Sequence, residues 1–204
     1  MIHTTTPARY RNASLKKGEQ NEITRIVSAM FSPEARKNKN DKACLVIIGI
    51  PGCGKTYAIW ALKNDMDQLP EFIERGIDEE YHSYVNTSKR RVSVIDASWF
   101  TEYPFLPFEA KDDEIRRIKE ADVLCIDDLG METPGERNSA LIESIINARY
   151  NDERTTIITS NLSSEQIKGR YSARIIDRLR EWGVFFESKQ RSYRDNHLKA
   201  VKSA

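Results

Sequence analysis

Apolar positions change their spacing several times along the chain. In EQNEITRIVSAMFSPE, residues 19–34, Ile23, Ile26, Val27 and Met30 recur at three- and four-residue intervals. That spacing predicts a helix, and Pro33 ends it. Residues 43–49, ACLVIIG, form a continuous apolar run rather than an alternating one. A parallel strand buried on both faces has this signature. KTYAIWALKNDMDQL, from residue 55, then predicts a helix interrupted at Pro70.

The second half repeats the alternation. RRVSVIDASWF predicts a second strand, rich in β-branched residues, with a turn and short helix after it. TEYPFLPFEAKDDE, residues 101–114, holds two prolines and three aromatic residues; we read it as an exposed loop or a partner contact. A helix from Asp113 to Glu120 leads into ADVLCIDDLG, the third strand. ERNSALIESIINARYNDERT places Leu141, Ile142, Ile145, Ile146 and Arg149 on one helical face. TTIITSN is the fourth strand, SSEQIKGRYSARIIDRLREW is helical with a break near Gly169, and GVFFES is the fifth strand. Strands alternating with helices predict an α/β fold, with a mostly parallel sheet covered on both sides.

Composition narrows the chemistry. The chain has 204 residues and a formal net charge of +1, so any contact with nucleic acid must come from local patches. Basic stretches lie at 36–42, 88–91 and 189–202, each a solvated loop or such a patch. Cys44, Cys53 and Cys125 form no CxxC pair, and with three histidines they suggest neither a zinc site nor a disulfide framework. No apolar run is long enough to span a bilayer, and a reducing cytoplasm is the expected compartment.

The sharpest signal is GIPGCGKT, residues 49–56, between a predicted strand and a predicted helix. It fits the G-x-x-x-x-G-K-[ST] phosphate loop in full. Glycines allow a tight turn with inward N–H groups, and the helix start favours an anion. Gly49, Pro51, Gly52, Cys53, Gly54, Lys55, Thr56 and Tyr57 are therefore expected to bind ATP. Lys55 would reach the β- and γ-phosphates and Thr56 would place a hydroxyl on Mg2+. VLCIDD, residues 123–128, ends in two carboxylates. Asp127 is expected to anchor the Mg2+, and Asp128 to orient or deprotonate the attacking water. Asn161 closes the fourth strand. It either holds that water, if its strand lies between the first and third, or caps the helix that starts near Ser163. Arg174 and Arg178 share one helical face, which is either a solvated surface or the source of an arginine that reaches a neighbouring subunit.

Five stretches in order carry a family resemblance: PARYRNAS at 7–14, the phosphate loop, LCIDDLG at 124–130, ITSNLSSEQI at 158–167, and RYSARIIDRLR followed by SYR at 192–194. In these the chain resembles the AAA+ ATPase core of the bacterial DnaC/DnaI helicase loaders and IstB transposition ATPases. The resemblance implies a P-loop AAA+ domain over 1–204, with 1–42 as a lead-in segment and helix. It implies a five-stranded parallel sheet of order 5-1-4-3-2 and a minimal or absent C-terminal lid. It implies Mg-ATP hydrolysis, with Asp128 as the catalytic carboxylate, Asn161 as first sensor, Arg178 acting in trans and Arg194 sensing the γ-phosphate in cis. Its partners would be DNA, taken as single-stranded, a replicative helicase or transposase, and further copies of the chain, with no membrane. Since the similar core starts at residue 7, the resemblance leads us to expect no counterpart of the loaders' N-terminal helicase-gripping domain. The leading expectation is a helicase-loader-like switch in DNA replication. The alternatives are a transposition-type regulator of DNA targeting, and a small-molecule kinase that shares the phosphate loop.

Overall fold

A computed structural model describes residues 5–16, 21–31, 43–68, 72–77, 83–88 and 91–193 of the chain. Arg194, Pro33, Pro70, the basic stretch 36–42, residues 89 and 90 of the next patch, the tail after 193 and any lid there lie outside the described residues.

Five strands form one parallel sheet: β1 (Cys44–Ile48), β4 (Val92–Asp96), β5 (Val123–Asp127), β6 (Thr155–Ser160) and β7 (Gly183–Glu187). Their order across the sheet is β4-β5-β6-β1-β7. Read from the other edge, this is the expected 5-1-4-3-2, so β6 does lie between β1 and β5. Every residue of β1 and of β5 is buried. The reason is visible in the packing. Cys44, Val46 and Ile48 face one core with Leu124 and Ile126, while Leu45 and Ile47 face a second core with Val123 and Cys125. A strand that feeds two cores has no polar face to display, hence the unbroken apolar run.

The second core is closed by α1 (Glu22–Met30) and α2 (Lys55–Asp67). The first is closed by α3 (Ser98–Glu102), α4 (Phe108–Glu120), α5 (Glu136–Asn151), α6 (Ser164–Arg170) and α7 (Ala173–Trp182). Trp99, Phe100, Ile118, Ile145 and Ile175 are among its buried members. Among the described residues, no helix is long and apolar enough to cross a membrane.

Three readings are corrected. The stretch 101–114 is not an irregular loop, because a short 3-10 turn at Tyr103–Phe105 runs into α4, which starts at Phe108 rather than Asp113. Pro107 precedes the first helical residue, where its missing N–H costs nothing. The helix break falls at Tyr171 and Ser172, not at Gly169, since Ser172 caps α7 by accepting the N–H of Ile175. An antiparallel pair, β2 (Phe72–Ile77) and β3 (Ser83–Ser88), stands apart from the main sheet and was not anticipated.

Candidate functional site

The C-terminal ends of β1, β5 and β6 lie side by side, and each delivers part of one polar cluster. From β1 the chain enters the loop 49–54. Gly52 and Gly54 adopt φ of 85° and 104°, which a side chain resists. At Gly54 a Cβ would also lie 2.9 Å from the side-chain nitrogen of Asn21. α2 begins at once with Lys55, so its free N–H groups open onto the loop. Lys55 is buried. Its ammonium donates to the carbonyls of Gly49 at 2.6 Å and Ile50 at 3.0 Å, and to Oδ1 of Asn161 at 2.8 Å.

Asp127 ends β5 and is 7% exposed. Its Oδ1 accepts the Thr159 hydroxyl at 2.6 Å, and the Thr56 hydroxyl also hydrogen-bonds to it. Burial pushes its pKa up to about 6; the Thr159 and Thr56 bonds hold it down, while Asp128 and Asp96 push it further up. Asp128 follows in the left-handed region, at φ 56°. Its N–H donates to the Thr159 hydroxyl at 2.9 Å, and its Oδ1 accepts Nδ2 of Asn161 at 2.9 Å.

Asn161 thus bridges an ammonium and a carboxylate. Only one amide orientation satisfies both, since the ammonium offers donors alone and the carboxylate acceptors alone. Asn161 does not cap α6. Ser163 does, in a capping box with Gln166.

The arginines separate. Arg174 is exposed and reaches Glu143 at 3.5 Å. The Arg178 guanidinium stands 5.6 Å from the ring centroid of Tyr150, and its Nη1 is buried without a hydrogen-bond partner. Arg178 is not joined to the Lys55–Asn161–Asp128 chain. Arg170 pairs with buried Glu132 at 2.9 Å. Tyr171 is buried and donates its hydroxyl to the same carboxylate at 2.7 Å. Tyr193 lies against the phosphate loop: its N–H donates to the Gly52 carbonyl at 3.0 Å and its hydroxyl accepts from Asn21 at 3.2 Å.

Sequence reasoning missed Thr159, Glu132 and Asn21. Thr159 could have been found as a polar residue two before Asn161, on the same side of a strand. Glu132 sits in a polar turn segment, where nothing in the spacing marks it as buried.

The group fits a magnesium nucleotide. Thr56 and Asp127 supply hard oxygen donors, and Mg2+ takes one or two protein oxygens with phosphate and water completing its shell. Among the described residues no set of three or more His, Cys, Asp or Glu side chains could hold a metal unaided.

No protein-family model matches the chain. The replicative helicase loader DnaC of Buchnera aphidicola subsp. Schizaphis graminum is 32% identical over 66 residues, which are 32% of this chain and 27% of that protein. The match therefore spans about a quarter of this curated relative's length. A crystal structure of the DnaC helicase loader superposes with a TM-score of 0.64 at 24% identity, covering 90% of this chain and 100% of that one. AMPPCP-bound DnaA from Aquifex aeolicus gives a TM-score of 0.66 at 18% identity, over 97% of this chain and 56% of that one. The fold is a parallel five-stranded α/β sheet with the strand order of the P-loop, AAA+ type. The likeness lies with the DnaA, DnaC and DnaI group as a whole rather than with one member.

Proposed function

We propose that this chain is one ATPase domain that hydrolyses Mg-ATP and uses the cycle to switch its assembly on DNA, as a helicase-loader-like accessory of replication. The observation that carries the reading is the Lys55–Asn161–Asp128 hydrogen-bond chain beside the buried carboxylate of Asp127. A strand-to-helix turn with no nucleotide to bind has no use for a lysine and two aspartates gathered at one sheet edge.

In this reading the loop N–H groups and Lys55 hold the phosphates. Thr56 and Asp127 would hold the ion, which would supply charge neutralisation when bound. Asp128 accepts a proton from water as the water oxygen bonds to the γ-phosphorus. The bond from that phosphorus to the bridging oxygen breaks, leaving ADP and phosphate. Asn161 already bonds both Lys55 and Asp128, so it is suited to report which phosphate is present. Arg178 would serve a neighbour's nucleotide, and Arg194 the chain's own.

Support for a role on DNA comes from the relatives, which are a replicative helicase loader and a DNA replication initiation factor. The test is the ATPase rate and the assembly size, each with and without single- or double-stranded DNA. Stimulation of about tenfold or more by single strands is the expected result, together with growth in assembly size under ATP. A rate indifferent to DNA at low salt overturns the DNA part of the proposal. A chain that does not turn over ATP at all overturns the rest.

A further inference from the structure

Glu132 touches neither the phosphate loop nor the strand-tip aspartates, yet it is 3% exposed. Its Oε2 accepts the N–H of Gly130 at 2.8 Å. Its Oε1 accepts Nε of Arg170 at 2.9 Å and the hydroxyl of Tyr171 at 2.7 Å, and its backbone carbonyl takes a second bond from Arg170. A carboxylate out of water needs this many donors to be tolerated. A glutamine offers one acceptor oxygen and would serve either Gly130 or the Arg170–Tyr171 side; the two oxygens of a carboxylate serve both.

What it joins is specific. Gly130 lies two residues after Asp128, in a turn closed by the Met131 N–H on the Asp128 carbonyl at 3.0 Å. Gly130 has φ 109°, and a Cβ there would sit 2.5 Å from Cδ1 of Leu162, so the turn packs closely against the residue that follows β6 and Asn161. On the other side, Arg170 ends α6 and Tyr171 leads into α7, the helix that carries Arg178. One buried carboxylate therefore spans the Asp128 turn and the α6–α7 junction.

We propose that Glu132 is a positioning residue that couples α7 to Asp128. Displacement of α7, such as a neighbouring copy engaging Arg178 would cause, reaches Asp128 through this carboxylate. The coupling rests on the reading of Asp128 as the hydrolytic carboxylate, and it names how that site is regulated.

The experiment compares wild type, Glu132→Gln, Tyr171→Phe and their double variant, with Asp128→Asn as reference. Steady-state hydrolysis, stoichiometry of a fluorescent ATP analogue and thermal melting are measured on each. Glu132→Gln is expected to bind the analogue one to one and to keep KM within about threefold, while kcat falls by about tenfold to a hundredfold. Tyr171→Phe, which keeps the buried ring, is expected to lose part of kcat at unchanged KM. The double variant is expected to be no slower than Glu132→Gln, because Tyr171 acts through Glu132.

Additive losses, or losses that track only the folded fraction, overturn the coupling. Should Glu132→Gln fail to fold, Tyr171→Phe carries the test, and an unchanged kcat there overturns it. If Asp128→Asn is inactive while Glu132→Gln matches wild type, the coupling alone falls. If Asp128→Asn hydrolyses ATP normally, the assignment of the site falls and takes the coupling with it.

Discussion

Asp127 is the residue where site and stability pull in opposite directions. Its carboxyl has a pKa raised to about 6, chiefly by burial. A carboxylate raised in this way costs the fold nothing at low pH, where it is protonated folded and unfolded alike. As pH rises from about 4 to about 6 the unfolded chain ionises first, and stability is lost; above that the penalty is constant. We expect Asp127→Asn to raise Tm by roughly 5 °C at pH 8, corresponding to about 2 kcal/mol. The gain should shrink toward pH 4. Melting curves at both pH values check this, and a gain equal at the two would refute the electrostatic origin. Magnesium-dependent nucleotide binding should be lost in the same variant. At this scale the sequence was informative where a motif names its residues, as with Lys55 and Asp127. It was silent where a role depends on who faces whom. Asn161 could have been a helix cap, and only Ser163 taking the cap decides against it. Glu132 carries no local sign of burial, because Arg170 and Tyr171, which enclose it, lie 38 and 39 residues away in sequence.

Among the elements, α4 and the start of β6 depend on one side chain. Arg149, on α5, is fully buried. It donates to the carbonyls of Ile118, Lys119 and Ala121 at the end of α4, and to Thr155 and Thr156 at the start of β6. Burial, and next the nearby Arg154, lower its pKa to about 10, so it stays charged at neutral pH. Helix ends leave carbonyls without partners, and here a guanidinium fork meets them in place of water. Lysine has three donors on one atom and cannot span both elements. Arg149→Lys should cost about 3 kcal/mol or more in urea unfolding, a loss out of scale for a surface arginine. A change within about 0.5 kcal/mol would show that water replaces the fork. In the sequence, Arg149 sits where the apolar stripe of α5 continues, the face that the fold buries. The five parallel strands were legible because each is a short apolar run with turn residues at its ends. The pair β2–β3 was not, for residues 72–88 mix polar and apolar positions without a sustained period. The prolines at 104 and 107 hid the short turn and the true start of α4.

For the whole molecule the open question is how copies meet. Arg178 is partly buried over Tyr150 and lies outside the Lys55–Asn161–Asp128 chain. If it serves a neighbour's nucleotide, Arg178→Ala and Asp128→Asn chains should each be inactive alone and regain part of the activity when mixed, since a mixed junction can pair an intact site with an intact arginine. Titrating one against the other measures this, and a flat response at every ratio rules out action in trans. The order of the sheet was readable only through the family resemblance, because strand spacing alone does not say which strands are neighbours.

That order has a consequence for how the chain comes to exist. β1 is made before both of its neighbours, β6 and β7, which follow it by roughly a hundred residues or more. The phosphate loop hangs from β1, and its contacts with Asn161, Ser160 and Tyr193 must wait for those strands. Pairings this distant in sequence form slowly, because a long loop must close before they are rewarded. A nascent chain therefore exposes β1, its most apolar strand, until β6 and β7 have followed it, and nucleotide has no finished site to stabilise before then. Chaperone demand and aggregation during expression should accordingly respond to substitutions in β7, far from any catalytic group, more than to ATP supplied during synthesis.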